Sequence, residues 1–212
     1  MLAAITAVIA SAEQAPIPLK APSGYGNYCD GMKKTKSYPC AAGGVPKALW
    51  RPLQLPVIAS GEPCPTPTPH TVSSRTAPVL GSGPVFFTAG AYNPTDRATM
   101  TALYPPPETS VAAGTGWAVA KTTLVMKRTF SQPLVVRGSR IDGAGQLGFT
   151  GPVGHRPFAA IQFPGTASAI DFGKYKAHGL NVWATSSGCY ALQLDGKTFS
   201  RVVVFRVELT TD

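Results

Sequence analysis

The sequence predicts an all-β protein: an antiparallel β-sandwich carrying an irregular, proline-rich N-terminal segment. Three observations predict it. From Val79 onward, short runs of β-branched and aromatic residues alternate with Gly/Pro turns. The 212 residues include 21 Pro and 22 Gly spread along the chain, and both oppose helix interiors, which excludes a helical bundle. Apolar residues make up 44%, enough to fill a core, whereas charged residues reach only 14%.

The elements follow in chain order. MLAAITAVIASA carries no charge, holds the apolar run Leu2–Ala10 and ends in the A-x-A pattern Ala10-Ser11-Ala12. It reads as a signal peptide over residues 1–12, although no Lys or Arg precedes the apolar run. No later stretch approaches the roughly 18–20 apolar residues of a membrane span, so no transmembrane segment is expected in the mature form. Residues 13–78 form an irregular lead segment, expected to lie along the main domain. Within it, Cys64-Pro-Thr-Pro-Thr-Pro-His70 is expected to be extended, near polyproline II.

Residues 79–212 form the sandwich. The expected strands are Val85–Thr88, Trp117–Lys127, Leu134–Ile141, Phe158–Phe163, Leu180–Thr185, Cys189–Asp195 and Phe199–Leu209. The last two make a hairpin through Gly196-Lys197-Thr198. Period-two alternation puts Tyr190, Leu192 and Leu194 on one face and Cys189, Ala191 and Gln193 on the other. If Tyr190 points into the core, Cys189 points away from it, onto the outside of a sheet.

Four cysteines, Cys29, Cys40, Cys64 and Cys189, suit two disulfides in an exported chain. Three pairings are open. Cys29–Cys40 with Cys64–Cys189 is the favoured one. The first pair is close in sequence, and the second closes a long loop, worth about 4–5 kcal/mol in the chain-entropy model. Zinc is not expected, because the cysteines lack C-x-x-C spacing and His70, His155 and His178 are scattered.

The segment Thr185-Ser-Ser-Gly-Cys-Tyr-Ala-Leu-Gln-Leu-Asp-Gly-Lys-Thr-Phe-Ser-Arg-Val-Val-Val-Phe205 resembles the C-terminal hairpin of uncharacterised secreted bacterial proteins with an immunoglobulin-like β-sandwich. Arg51-Pro-Leu-Gln-Leu-Pro-Val-Ile-Ala-Ser-Gly-Glu-Pro-Cys-Pro65 and Gly81-Ser-Gly-Pro-Val85 are similar to the lead-in of the same group. The matched motifs cover about a quarter of the chain. The resemblance implies an immunoglobulin-like fold and an exported location, and it agrees with a Cys64–Cys189 bridge. It implies no chemistry.

The residues themselves offer no catalytic constellation. There is no G-x-S-x-G element, and Ser82 and Ser139 have no local partner. His155 and His178 read as exposed loop histidines. Asp96, Asp142, Asp171 and Asp195 read as turn residues. The Gly-x-Gly elements precede no helix, so they read as turns and not as phosphate cradles. No cofactor is expected.

The charge balance does carry a signal. Lys and Arg number 19 against 10 Asp and Glu, a formal charge of +9. One basic cluster is Lys33, Lys34 and Lys36, flanked by Tyr25, Tyr28 and Tyr38. A second is Lys121, Lys127, Arg128, Arg137 and Arg140 on candidate strands. Outside the cytoplasm such a surface attracts wall polymers, acidic glycans and other polyanions. No nucleic-acid motif is present, so no specific nucleic acid is expected as a partner. Trp117 and Trp183 belong in the core, whereas Trp50, with Tyr25 and Tyr28, is the candidate aromatic contact.

The leading expectation is a non-enzymatic exported binding or structural module of the cell envelope or extracellular space, with a basic face as its candidate contact for anionic polymers. The alternatives are a secreted hydrolase with a loop-built site and a self-assembling surface or appendage subunit, in which an oligomer forms through strand edges.

Overall fold

The computed structural model describes residues 25–27, 49, 51–90, 96–104, 116–151, 157–163 and 169–211. The expected signal peptide, the Cys29–Cys40 pairing, Lys33, Lys34, Lys36, Tyr28, Trp50 and His155 lie outside them.

The described chain is all-β. Its strands are β1 (Tyr25–Asn27), β2 (Val85–Thr88), β3 (Thr99–Leu103), β4 (Ala118–Lys127), β5 (Leu134–Arg140), β6 (Leu147–Thr150), β7 (Ala160–Phe163), β8 (Ile170–Asp171), β9 (Tyr175–Ala184), β10 (Gly188–Gly196) and β11 (Ser200–Thr210). They form a continuous ladder in the order β1-β7-β5-β10-β11-β3-β4-β9-β6, with β2 added to β4 and β8 to β9. Most pairs are antiparallel, but β1 runs parallel to β7 and β3 parallel to β11. The ladder bends back on itself between β3 and β4, which meet at Leu103 and Val119.

Its two halves face each other across one core. Phe87 of β2 packs on Phe205 of β11 with ring centroids 5.1 Å apart. Leu124 and Leu180 from one half, and Val136, Tyr190, Leu192 and Leu194 from the other, are buried in the same cluster. A buried Leu or Phe contributes roughly 1.5–3 kcal/mol of transfer free energy, so this cluster dominates the stability of the fold. The result is a sandwich- or barrel-like architecture. Strand β9 begins five residues earlier than the expected Leu180, and β1, β3, β6 and β8 were not expected as strands at all.

The β10–β11 hairpin pairs Tyr190 with Phe205 and Leu192 with Val203, all of them buried. Cys189 points to the opposite face. There it joins Ile141, Ala191, Leu55, Ile58 and Cys64 in a cluster separate from the main core. The Cys64–Cys189 disulfide, with a sequence separation of 125, ties residues 51–64 to this outer face.

Residues 51–64 form a strap that runs along β10 in the opposite direction. The Arg51 guanidinium donates to the carbonyls of Gly196 (2.8 Å), Phe199 (2.9 Å) and Lys197 (3.0 Å), closing the hairpin turn. The Gln54 N–H donates to Gln193 Oε1 at 2.7 Å, and Gln193 Nε2 donates to the Pro52 carbonyl at 2.9 Å. The Ile58 N–H donates to the Ile141 carbonyl at 2.9 Å. The strap supplies these partners because both faces of β10 are covered, and buried polar groups need hydrogen bonds.

The segment after the strap crosses to the other half. His70 and Val79 exchange two backbone hydrogen bonds, 3.0 and 2.8 Å. Val79, Phe86, Val125 and Ala177 are buried there, with Val72, Phe172 and Tyr175 packed against them.

Candidate functional site

A basic end is assembled where β4, β8 and β9 meet. The short β8 turns into β9 through Gly173 and Lys174. Gly173 has φ +80°, the left-handed region that a side chain disfavours, as the first central residue of a type II′ hairpin turn requires. The Asp171 carboxylate accepts from the Gly173 N–H at 2.7 Å and steadies the turn. The Phe172 N–H donates to the Tyr175 carbonyl at 2.8 Å.

Register then gathers the charges. Lys127 lies opposite Tyr175, and Lys176 lies opposite Met126 on one side and Asp171 on the other. The Arg128 N–H donates to the Lys174 carbonyl at 2.9 Å, bringing those two residues side by side. Lys127, Arg128 and Lys174 are exposed. Arg75 stacks over the Phe172 ring, its guanidinium carbon 5.6 Å from the centroid. Five cations thus lie at this end of the sheet, Lys127 on the face of Tyr175 and Lys176 on the face of Met126 and Asp171, and Asp171 sits 3.2 Å from Arg128. Burial pulls the Lys176 ammonium below its ordinary value, because a half-buried charge lacks part of its water.

Aromatic rings border the charges. His70 and Phe86 meet edge to face at 5.7 Å, and Phe86 and Tyr175 do so at 6.2 Å. The arrangement can hold an extended anionic chain by its charges and offer ring edges to its apolar parts. It holds no nucleophile–base pair. Among the described residues, no group of three or more His, Cys, Asp or Glu is placed to hold a metal ion.

Other expected site residues fall elsewhere. Arg137 is not part of an exposed basic face: its side chain is 3% exposed and its Nη2 donates to Asp195 Oδ2 at 2.5 Å and to the Arg51 carbonyl at 2.6 Å, beneath the strap. The physical reason is parity. Val135 and Arg137 share the outer face of β5, and the strap covers that face. Arg140 is mostly buried too, with Nε 2.5 Å from Asp142 Oδ1 and Nη1 donating to the Ala144 carbonyl at 2.8 Å. Strands β4 and β5 are not neighbours in the ladder, so Lys121, Lys127 and Arg128 do not join Arg137 and Arg140. Tyr25 lies in β1, on the edge beside β7.

Two further expectations are corrected. His178 is not an exposed loop histidine: it lies in β9, 3% exposed, with its ring 5.7 Å from that of Phe163. Asp195 is not a turn residue: it lies in β10 with its side chain fully buried, held by Arg137, Gln193 and, at 3.6 Å, Arg51. Trp183 is buried, its indole N–H donating to Thr150 Oγ1 at 3.1 Å, and Trp117 is half-buried.

Sequence reasoning missed Arg75, Lys174, Lys176, Phe172 and Tyr175. The signal was present in Asp171-Phe-Gly-Lys-Tyr-Lys-Ala177, a glycine turn entering an alternating strand, but it reads as loop when the strand is started at Leu180.

A cavity of 380 Å³ opens between the strap and β5. Leu55, Pro56, Val57, Ile58, Ile141 and Gly143 line it, with Arg140 and Asp142 at one side already paired to each other. Burial alone would raise the Asp142 carboxyl. The Arg140 side chain and the Cys189 N–H, which donates at 2.9 Å, outweigh it and hold the carboxyl below its ordinary value.

No family model matches the chain, and no curated protein is detectably similar in sequence. Among solved structures, the chain is similar to the CooA pilin subunit from enterotoxigenic Escherichia coli, at 12% identity and a TM-score of 0.34, over 54% of this chain and 89% of that one. No helix of the described residues is long and apolar enough to cross a membrane.

Proposed function

We propose that this protein is an exported, non-enzymatic binding module that holds anionic polymers of the cell envelope or extracellular space on the basic end of its sandwich. One observation carries the reading: the register of β4, β8 and β9 gathers Lys127, Arg128, Lys174 and Lys176 at one end of the sheet, with Lys127 and Lys176 on its two faces and Arg75 stacked on Phe172 beside them, where Asp171 pairs with Arg128. Like charges gathered at one end of the sheet repel one another, and a bound polyanion relieves that repulsion. Export is supported by the Cys64–Cys189 disulfide, since such bonds persist in oxidising compartments.

The test is co-sedimentation of the oxidised protein with purified cell envelope of the producing organism, at low and high salt. The reading expects binding at low salt that is lost at high salt, because exposed charges are screened within about 10 Å at 0.1 M. Absence of binding at both salts contradicts it.

A further inference from the structure

We propose that Thr68 is a site of O-glycosylation. The proposal rests on the export part of the reading above and is independent of the basic end.

Thr68 stands in Cys64-Pro-Thr-Pro-Thr-Pro-His70, between Pro67 and Pro69. Three features make its hydroxyl a good acceptor. The first is accessibility: Thr68 and Pro67 are both exposed. The second is backbone shape. Proline fixes its own φ near −65° and drives the residue before it into the extended region, so Thr68 is extended and its C-terminal neighbour is rigid. Pro67 and Pro69 have no N–H with which to enter a ladder, so the segment stays off the sheet. The third is anchorage. The Cys64–Cys189 disulfide holds one end of the segment, and the paired hydrogen bonds between His70 and Val79 hold the other. A transferase meeting this segment therefore orders little chain on binding, because the entropy of fixing these residues has been met by folding.

Most other described threonines contrast with it, and the exposed Thr71 differs in standing past the His70–Val79 pairing with no proline on either side. Those in strands use their hydroxyls: Thr88 donates to the Thr123 carbonyl at 3.2 Å and Thr122 to the Leu180 carbonyl at 2.9 Å. Thr129 and Thr198 sit in tight turns at strand ends. Thr66, the nearest rival, is half-buried. Its N–H folds back onto the Cys64 carbonyl at 2.8 Å, a γ-turn about Pro65 that breaks the extended path. The segment expected to be extended, near polyproline II, is thus turned at Pro65, which leaves Thr68 on the part beyond the turn.

The substrate is an activated sugar, joined through its anomeric carbon to a nucleotide or lipid phosphate. The Thr68 Oγ1–C1 bond forms and the C1–O bond to phosphate breaks. The phosphate leaves with its carrier, and the hydroxyl proton passes to a base of the transferase. Alternation of Thr with Pro is the composition that O-glycosylated stalks use, and a single glycan here shields the strap end from proteases.

The test uses protein isolated from its producing cells with cell fractions kept separate. Intact mass and electron-transfer fragmentation locate any added sugar, for wild type, Thr68→Ala and Thr66→Ala. The expected result is one or more hexose or N-acetylhexosamine increments on Thr68 of the exported protein, absent from Thr68→Ala and retained by Thr66→Ala. An exported protein with Thr68 at its unmodified mass overturns the proposal alone. So does a phosphate increment, or a sugar that persists in Thr68→Ala. Unmodified protein confined inside the cell overturns export and this proposal together.

Discussion

Asp195 and Asp171 each face arginine, yet the two regions around them end in opposite states. Beneath the strap, Asp195 is fully buried and Arg137 is 3% exposed. At the basic end, Asp171 is 54% exposed and Arg128 is 64% exposed. Under the strap, Arg51, Gln193 and the strap backbone hold the pair in place, so the charges serve the fold. At the basic end the cations outnumber the carboxylate, and Arg75, Lys127, Arg128 and Lys174 face water, so they remain available to a ligand. Residue type does not separate the two regions. The cover does: residues 51–64 cross β5 and β10, and no comparable described segment crosses Lys127, Arg128 and Lys174.

The sharpest way to break the contrast is Asp195→Ala. It leaves the Arg137 guanidinium buried without its carboxylate, and removing one member of a buried pair costs about 3–5 kcal/mol. Urea denaturation should show that loss, while the fraction still folded binds polyanion as wild type does. An Asp195→Ala protein as stable as wild type would mean that the pair is not confined by the strap.

Next comes the staple. Replacing Cys64 and Cys189 together with Ser should lower stability by about 2–5 kcal/mol, the usual range for a native disulfide, read as a lower midpoint of thermal unfolding. Proteolysis should then cut first within residues 51–64. Unchanged cleavage would show that the hydrogen bonds of Arg51, Gln54 and Ile58 hold the strap by themselves.

Acid supplies a smaller effect. Asp142 and Asp96 are both held below their ordinary values in the folded state. For Asp96 the Thr99 hydroxyl is the main cause and outweighs burial; for Asp142 the Arg140 side chain and Cys189 N–H outweigh burial. A carboxyl with a depressed folded pKa adds stability above its unfolded value, and that stability is lost as pH falls through the folded one. Denaturation between pH 5 and 2 should therefore show stability falling with acid, and Asp142→Asn should flatten the slope. An unchanged slope would contradict the role given to Arg140.

The smallest effect on stability belongs to the basic end. Lys127→Ala with Lys174→Ala should change stability by no more than about 0.5 kcal/mol, as exposed substitutions do. A large loss would move these lysines into the structural class of Arg137.

Much of the fold was legible in the sequence. The last hairpin could be read residue by residue, because Tyr190, Leu192 and Leu194 alternate strictly with residues of the other face. That parity also placed Cys189 on the outside. The strap was legible in outline, since the lead segment is expected to lie along the main domain with Cys64 bonded to an outward-facing Cys189, but its side-chain contacts were not. Gln193 and Asp195 make the outer face of β10 read as polar and solvated, and only the contacts with Arg51, Pro52 and Gln54 show that it is covered. Arg137 misleads when read alone, since an arginine beside three apolar residues looks like a surface charge until Asp195 is known to lie beside it. Strand β3 was missed because Thr99-Met-Thr-Ala-Leu103 lacks β-branched apolar residues. It pairs parallel with β11, a long-range choice that local pattern does not encode. The basic end depends on register between β4, β8 and β9, and register is set by packing across the core, not by any one segment.

The most direct test of the account is a titration of labelled polygalacturonate with wild type and with the Lys127→Ala, Lys174→Ala variant, at several salt concentrations. The account predicts that wild type binds at low salt, that affinity falls steeply as salt rises, and that the variant binds more weakly with a shallower salt dependence. Equal affinity and equal salt dependence for the two proteins would contradict it.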